Sequence, residues 1–302
     1  MRTSANGIGI DIRCTLLVSV FALQIFSPVH AQADMSQLDR IPEGTLSQMT
    51  DPVKSIGYPG LAWHGTVVTV AFNGGNPKVY PLIEAAAKEW TSNGGRLQFS
   101  FRTPGGAYRT WSEADLTPRA SIRIGFFTDL QRRGYWSAVG VLAKRINPSE
   151  ATMNFGDLGT SQSLFYDGKN AQSWRRTYAR STILHEFGHA LGLNHEHFHP
   201  SCQADLKLDY IVSSLLGPPN NWTKSQAMYN MDWPTYAGIM AAQSPGLAAT
   251  SPTINRSSVM LYTFSGSYYK SGDASPCRPV DPMGYATSLS AGDRQYYMSY
   301  YQ

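Results

Sequence analysis

Five of the seven histidines fall between positions 185 and 199, and three of them share a spacing that suits one metal ion. The run reads His185-Glu186-Phe187-Gly188-His189-Ala190-Leu191-Gly192-Leu193-Asn194-His195. On a helix, residues four apart sit one turn apart on one face, so His185 and His189 can reach a common ion. Glu186 is the next residue after His185, and its carboxylate would point past the ion toward a water. Gly192 offers a left-handed helix cap, which lets the chain turn sharply and return His195 to the same ion. Three neutral nitrogens leave a tetrahedral position open, as a catalytic zinc requires. Structural zinc sites take four protein ligands and favour cysteine, so that reading ranks lowest.

Further residues fit this chemistry. Downstream lies Ser257-Ser258-Val259-Met260-Leu261-Tyr262, with Met260 65 positions after His195. A methionine there could fill a core gap or form a turn beneath the metal. Tyr262 is one of 17 tyrosines and is a candidate donor to an oxyanion. His197 and His199 are expected to be solvated or to make secondary contacts, because three histidines already complete the protein's share of the site. Glu196 is expected in a structural salt bridge.

These motifs resemble the metzincin metallopeptidases, and among them the astacins most. In astacins a Glu follows the third zinc histidine, as Glu196 follows His195, and a Tyr stands two residues past the turn methionine, as Tyr262 does. The resemblance implies one catalytic Zn2+ on His185, His189 and His195, Glu186 as general base, and Met260 in the methionine turn. It also implies Tyr262 as a further resting-state ligand that swings to the oxyanion. Ile122 to Phe126 with Gly134 to Ser137 is similar to the central strands of that fold. Leu289 to Asp293, with Tyr296 and Tyr297, is similar to its last helix. The likeness covers roughly residues 60–302. Leu193 stands where astacins carry Phe, and His199 stands where they carry Arg. Two mature cysteines stand where they hold four. No cysteine-switch motif is present.

The implied fold is an α+β zincin: a twisted, mostly parallel sheet, an active-site helix, and an irregular C-terminal part ending in a helix. Patterning agrees. Residues 65–72, 97–101, 120–127 and 151–155 read as strands, with a loop and short strand over 134–142. Asn76-Pro77 opens a helix running to Trp90, and 173–191 reads as the helix of the site. Residues 197–252 read as less regular. Ser290 with Asp293 predicts a capping box for the final helix. By resemblance, Ala151 to Gly156 would be the edge strand along which a peptide lies.

Residues 1–33 read as a secretory signal. Arg2 and Arg13 precede a mostly apolar stretch, and Ala31-Gln32-Ala33 offers small residues for cleavage before Asp34. The stretch is too short to span a bilayer, which takes roughly 20 apolar residues. Residues 34–60 read as an N-terminal extension or a pro-segment, and 61–302 as the catalytic domain. Cys14 falls in the signal. Cys202 and Cys277 remain, which an exported protein would pair as a disulfide; two buried free thiols are the alternative.

The net charge of +4 and the absence of a basic run argue against a nucleic-acid partner. The expectation is a secreted, monomeric zinc endopeptidase acting on peptides or proteins, periplasmic if the source is Gram-negative. Rival readings are a non-enzymatic binding module that keeps the fold and a zinc hydrolase with another substrate.

Overall fold

A computed structural model describes residues 39–50, 60–92, 94–159, 178–232, 234, 253–281 and 283–302. The signal segment lies outside the described residues, as do 173–177 of the predicted helix. Strand β1 (Val67–Phe72) is rich in β-branched residues and is buried from Val70 to Phe72. It pairs in parallel with β2 (Gln98–Ser100) on one side and β3 (Ile122–Gly125) on the other. Beyond β3 come β5 (Met153–Phe155), parallel, and β4 (Tyr135–Ser137), antiparallel. The order is β2-β1-β3-β5-β4, the mostly parallel sheet that the resemblance implies.

The expected edge is corrected by that order. β5 lies between β3 and β4 and is buried along its length, while β4 is the outer strand. Asn154 of β5 explains the arrangement. Its Nδ2 donates to the carbonyls of Phe127, Arg132 and Gly134, and so folds the 127–134 loop back to place β4 outside.

One face of the sheet is covered by helix α2 (Tyr80–Thr91) and by the site helix α3 (Tyr178–Ala190). In α2 the residues Tyr80, Ile83, Ala87 and Trp90 are buried, as helical periodicity predicts. Trp90 Nε1 donates to the Leu184 carbonyl of α3 at 2.9 Å, which ties the two helices. Every residue of α3 from Ala179 to Ala190 is buried. A helix without a solvated face belongs to the core, and its polar groups need specific partners.

Among its described residues, the stretch expected to be less regular holds three helices: α4 (Pro200–Asp205), α5 (Leu208–Leu216) and α6 (Lys224–Met231). Helix α6 opens with a capping box in which Thr223 and Gln226 satisfy each other's backbone. These helices bury a second cluster with Trp222, Tyr262, Phe264 and Tyr269 around a Cys202–Cys277 disulfide. Helix α7 (Ala291–Tyr301) starts at Ser290 with the predicted box to Asp293. The extension also contains a helix, α1 (Glu43–Thr50), where no periodicity was evident. Among the described residues no helix is long and apolar enough to cross a membrane.

Candidate metal centre and active site

Helix α3 ends as its sequence dictates. Gly192 has φ +99°, its N–H donates to the His189 carbonyl, and the Leu193 N–H reaches back to the Gly188 carbonyl. This pair of bonds is the Schellman arrangement, which needs a left-handed residue at that point. The remaining carbonyls of the last turn are taken by Trp63 Nε1 on Ala190 and the Tyr301 hydroxyl on Leu191. The turned chain delivers His195 to the helix face that carries His185 and His189.

The three Nε2 atoms converge. His189 Nε2 lies 3.1 Å from that of His185 and 3.0 Å from that of His195. Their other nitrogens fix the tautomer. His185 Nδ1 sits 2.7 Å from the Val259 carbonyl, and His189 Nδ1 sits 2.8 Å from the Leu193 carbonyl. A carbonyl can only accept, so each Nδ1 carries the proton and each Nε2 turns a lone pair inward. Lone pairs that face one another repel unless a cation lies between them. Tetrahedral bonds of about 2.0–2.1 Å put ligands about 3.3 Å apart, so the trio fits a zinc-sized ion. Burial, with His189 beside it, holds His195 well below its usual value, which keeps it in the neutral ligating form.

The residues around Met260 orient His185. Met260 is buried, and its carbonyl accepts the Glu196 N–H. Asp293, at the start of α7, accepts from the Ser258 hydroxyl at 2.5 Å and from the Val259 N–H at 3.3 Å. The Ser258 hydroxyl oxygen in turn accepts the Met260 N–H. This chain of bonds aims the Val259 carbonyl at His185. Gly188 explains the middle of the motif: a Cβ there would stand 2.4 Å from Met260 Sδ and 3.1 Å from Trp90. Only a bare helix position lets the methionine pack beneath the histidines.

Glu186 is buried beside the trio, and its Oε2 has no hydrogen-bond partner. Burial first, then the charge of Asp39, holds its carboxyl well above the usual range. Tyr262 stacks near the histidines, with ring centroids 4.2 Å from His195 and 5.5 Å from His185. Burial, then Asp39, pushes its hydroxyl well up, so it is a phenol and a donor.

Sequence reasoning missed Asp39. Its Oδ2 lies 2.8 Å from His189 Nε2 and 3.3 Å from His195 Nε2, and its Oδ1 lies 3.6 Å from His185 Nε2. The four residues form a buried set able to hold a metal. The Asp39 N–H donates to the Tyr262 hydroxyl at 2.9 Å, so that hydroxyl is engaged with the extension. A lone Asp in a polar segment carries no periodic signal.

His197 takes the second of its expected alternatives: it is buried, its Nε2 meets the Asn230 carbonyl at 2.8 Å, it stacks on Tyr262, and burial lowers it to about 3. One smaller expectation is corrected. Glu196 accepts the Asn255 N–H at 2.6 Å in place of the expected cation. His199 does take a secondary role, capping α4 through the Ser201 N–H.

No model of a known family matches the chain, and no curated relative does either. Solved structures do. Myroilysin aligns with a TM-score of 0.55 and 27% identity, over 80% of this chain and 95% of that one. A second myroilysin structure aligns with a TM-score of 0.49 and 26% identity, over 81% and 88%. High choriolytic enzyme 1, described as a hatching enzyme zinc-protease from the medaka fish Oryzias latipes, aligns with a TM-score of 0.41 and 15% identity, over 78% and 92%. With the histidine helix, the buried methionine and the mostly parallel sheet in place, the chain shares the fold of myroilysin and is similar to the astacin-like metzincins.

Proposed function

We propose that the chain is a secreted zinc endopeptidase made in a latent form. The observation that carries this reading is the convergence of three buried Nε2 atoms within hydrogen-bonding distance, each set by a fixed turn or helix position. Zinc held by His185, His189 and His195 would supply Lewis acidity and a water of lowered pKa. Glu186 takes a proton from the attacking water and passes it to the leaving amine nitrogen. Its unpartnered Oε2 and its raised affinity for a proton suit that exchange. The Tyr262 hydroxyl donates to the developing oxyanion once the Asp39 N–H has left it. A peptide would lie extended along β4, the outer strand, adding a strand to the sheet.

Residues 34–60 act as the pro-segment. Asp39 would be the fourth side chain to hold the metal, leaving no place for the attacking water. The segment is tied down on both sides of the cleft. Gln226 Nε2 donates to the Ile41 carbonyl, the Thr223 hydroxyl donates to Glu43, and Gln48 bonds to Asn147 and Glu150. Export follows from the signal-like residues 1–33 and agrees with the disulfide.

The test joins metal analysis to a cleavage assay. The purified chain is expected to carry one zinc per molecule, with chelator-sensitive cleavage of casein after removal of the extension. His185→Ala is expected to lower the zinc content. Full zinc in that variant, or full cleavage without metal, would end this reading.

A further inference from the structure

The turn that follows helix α3 is gripped by three aromatic donors. Trp63 Nε1 donates to the Ala190 carbonyl at 2.7 Å, and the Tyr301 hydroxyl donates to the Leu191 carbonyl at 2.7 Å. The Tyr296 hydroxyl donates to the Gly192 carbonyl at 3.3 Å. These are consecutive carbonyls, and their donors come from far-apart stretches of the sequence. Tyr301 joins the two stretches, because its hydroxyl oxygen also accepts the Trp63 N–H at 3.2 Å. With its proton and a lone pair both committed, that hydroxyl has one direction. Trp63 and Tyr301 are buried, where a hydrogen bond is electrostatically stronger than in water. The backbone before Trp63 is fixed as well. The Leu61 carbonyl accepts the Val141 N–H, and a Cβ on Gly140 would overlap that carbonyl.

Two metal ligands depend on this turn. The next carbonyl, that of Leu193, meets His189 Nδ1 at 2.8 Å. His195 follows two residues later, and the Glu196 N–H on the Met260 carbonyl closes the far end. A turn that slips would therefore move both the acceptor that sets the His189 tautomer and the backbone that carries His195. Tyr297, on the same helix α7, gives the contrast. It is as buried as Tyr301, but its hydroxyl donates to the Leu97 carbonyl at 2.9 Å, just before β2 and outside the turn.

We propose that Trp63, Tyr296 and Tyr301 are positioning residues for the metal, acting through the 190–193 turn to fix how His189 and His195 present their Nε2 atoms. The proposal rests on the zinc reading above. It also assigns residues 61–63 to the processed enzyme, because the clasp is incomplete without them.

Paired tyrosine variants of the full-length chain test it. Tyr301→Phe and Tyr297→Phe each take a buried hydroxyl from a carbonyl, and both are expected to lower the urea midpoint. Only Tyr301→Phe is expected to raise the zinc Kd, by about tenfold in competition with a chromophoric chelator. It is also expected to shift the visible bands of the cobalt-loaded chain, which read ligand geometry, while Tyr297→Phe leaves them in place. Trp63→Phe is expected to raise the zinc Kd about tenfold, and Tyr296→Phe, whose bond is longer, about threefold. In the metal-free chain, hydrogen exchange is expected to quicken over residues 190–195 in Tyr301→Phe and not in Tyr297→Phe. The same zinc Kd and cobalt bands in Tyr301→Phe and Tyr297→Phe would overturn the proposal and leave the zinc reading intact. If Tyr301→Phe fails to fold, Trp63→Phe and Tyr296→Phe make the same comparison, and a parental zinc Kd in both overturns the proposal. A parent chain that binds no zinc ends the metal reading and the proposal with it.

Discussion

Two segments meet at the histidines and are attached to the molecule in different ways. Helix α3 with the Val259–Met260 turn is built into the main core. Its residues from Ala179 to Ala190 are buried, and its aim is fixed by Gly192, Asp293 and backbone carbonyls. The extension from Asp39 to Thr50 reaches the same atoms, but chiefly through side-chain and backbone hydrogen bonds to Tyr262, Gln226, Asn147 and Glu150, with Ile41, Leu46 and Met49 as its apolar contacts. The difference separates side chains built into the core from one carried by a short segment. A ligand held by the core cannot leave without unfolding it, whereas a short segment held by a few bonds can open locally or be cut away.

That contrast is open to experiment at several strengths. Glu186→Gln in processed enzyme is expected to lower kcat/KM about a thousandfold while zinc content and circular dichroism stay unchanged. Retained turnover would remove Glu186 as the base. Replacing both Cys202 and Cys277 with Ser frees a loop spanning 75 residues. In the chain-entropy picture this costs roughly 4 kcal/mol, read by urea denaturation, with the loss centred on the second cluster. Gly188→Ala places a Cβ 2.4 Å from Met260 Sδ. It is expected to cost about 1–3 kcal/mol and to weaken zinc binding as His185 and His189 shift. A wild-type melting curve for this variant would show that the helix and turn are less tightly joined than described.

The extension should respond in the opposite sense. Asp39→Ala in the full-length chain is expected to raise basal peptide cleavage about tenfold, with little change in denaturation midpoint, since the three histidines keep their own supports. Lower activity in that variant would make Asp39 part of the working site. The smallest effect belongs to Glu43→Ala, which removes an exposed bond from the Thr223 hydroxyl. It is expected to change the rate of processing by about fivefold at most, because an exposed polar contact contributes about 0.5–1 kcal/mol at best.

Much of the site was legible because its signals are local. The spacing of His185 and His189 needs only a helix, and Gly192 announces its own left-handed turn. Ser290 and Asp293 announce the start of α7. The helices of 200–231 had such signals too, in the Leu208, Ile211 and Leu215 repeat and in the Thr223–Gln226 box. They were obscured by the Gly/Ser/Pro-rich stretch that follows. The position of β5 was not legible, because strand order depends on which loop folds across which strand, and here the 127–134 loop is tied to β5 by the Asn154 amide.

The amino-acid sequence by itself determined the set of histidines able to hold a metal, because three imidazoles and one carboxylate follow from residue types at short, rigid spacings. Tertiary structure alone decided that Asp39 joins the three histidines and that Ile41 is buried beside them. Those contacts join residues more than 150 positions apart in the case of Asp39 and His195. No local pattern records such a pairing, since it arises only when the whole core has brought the two ends of the chain to one cleft.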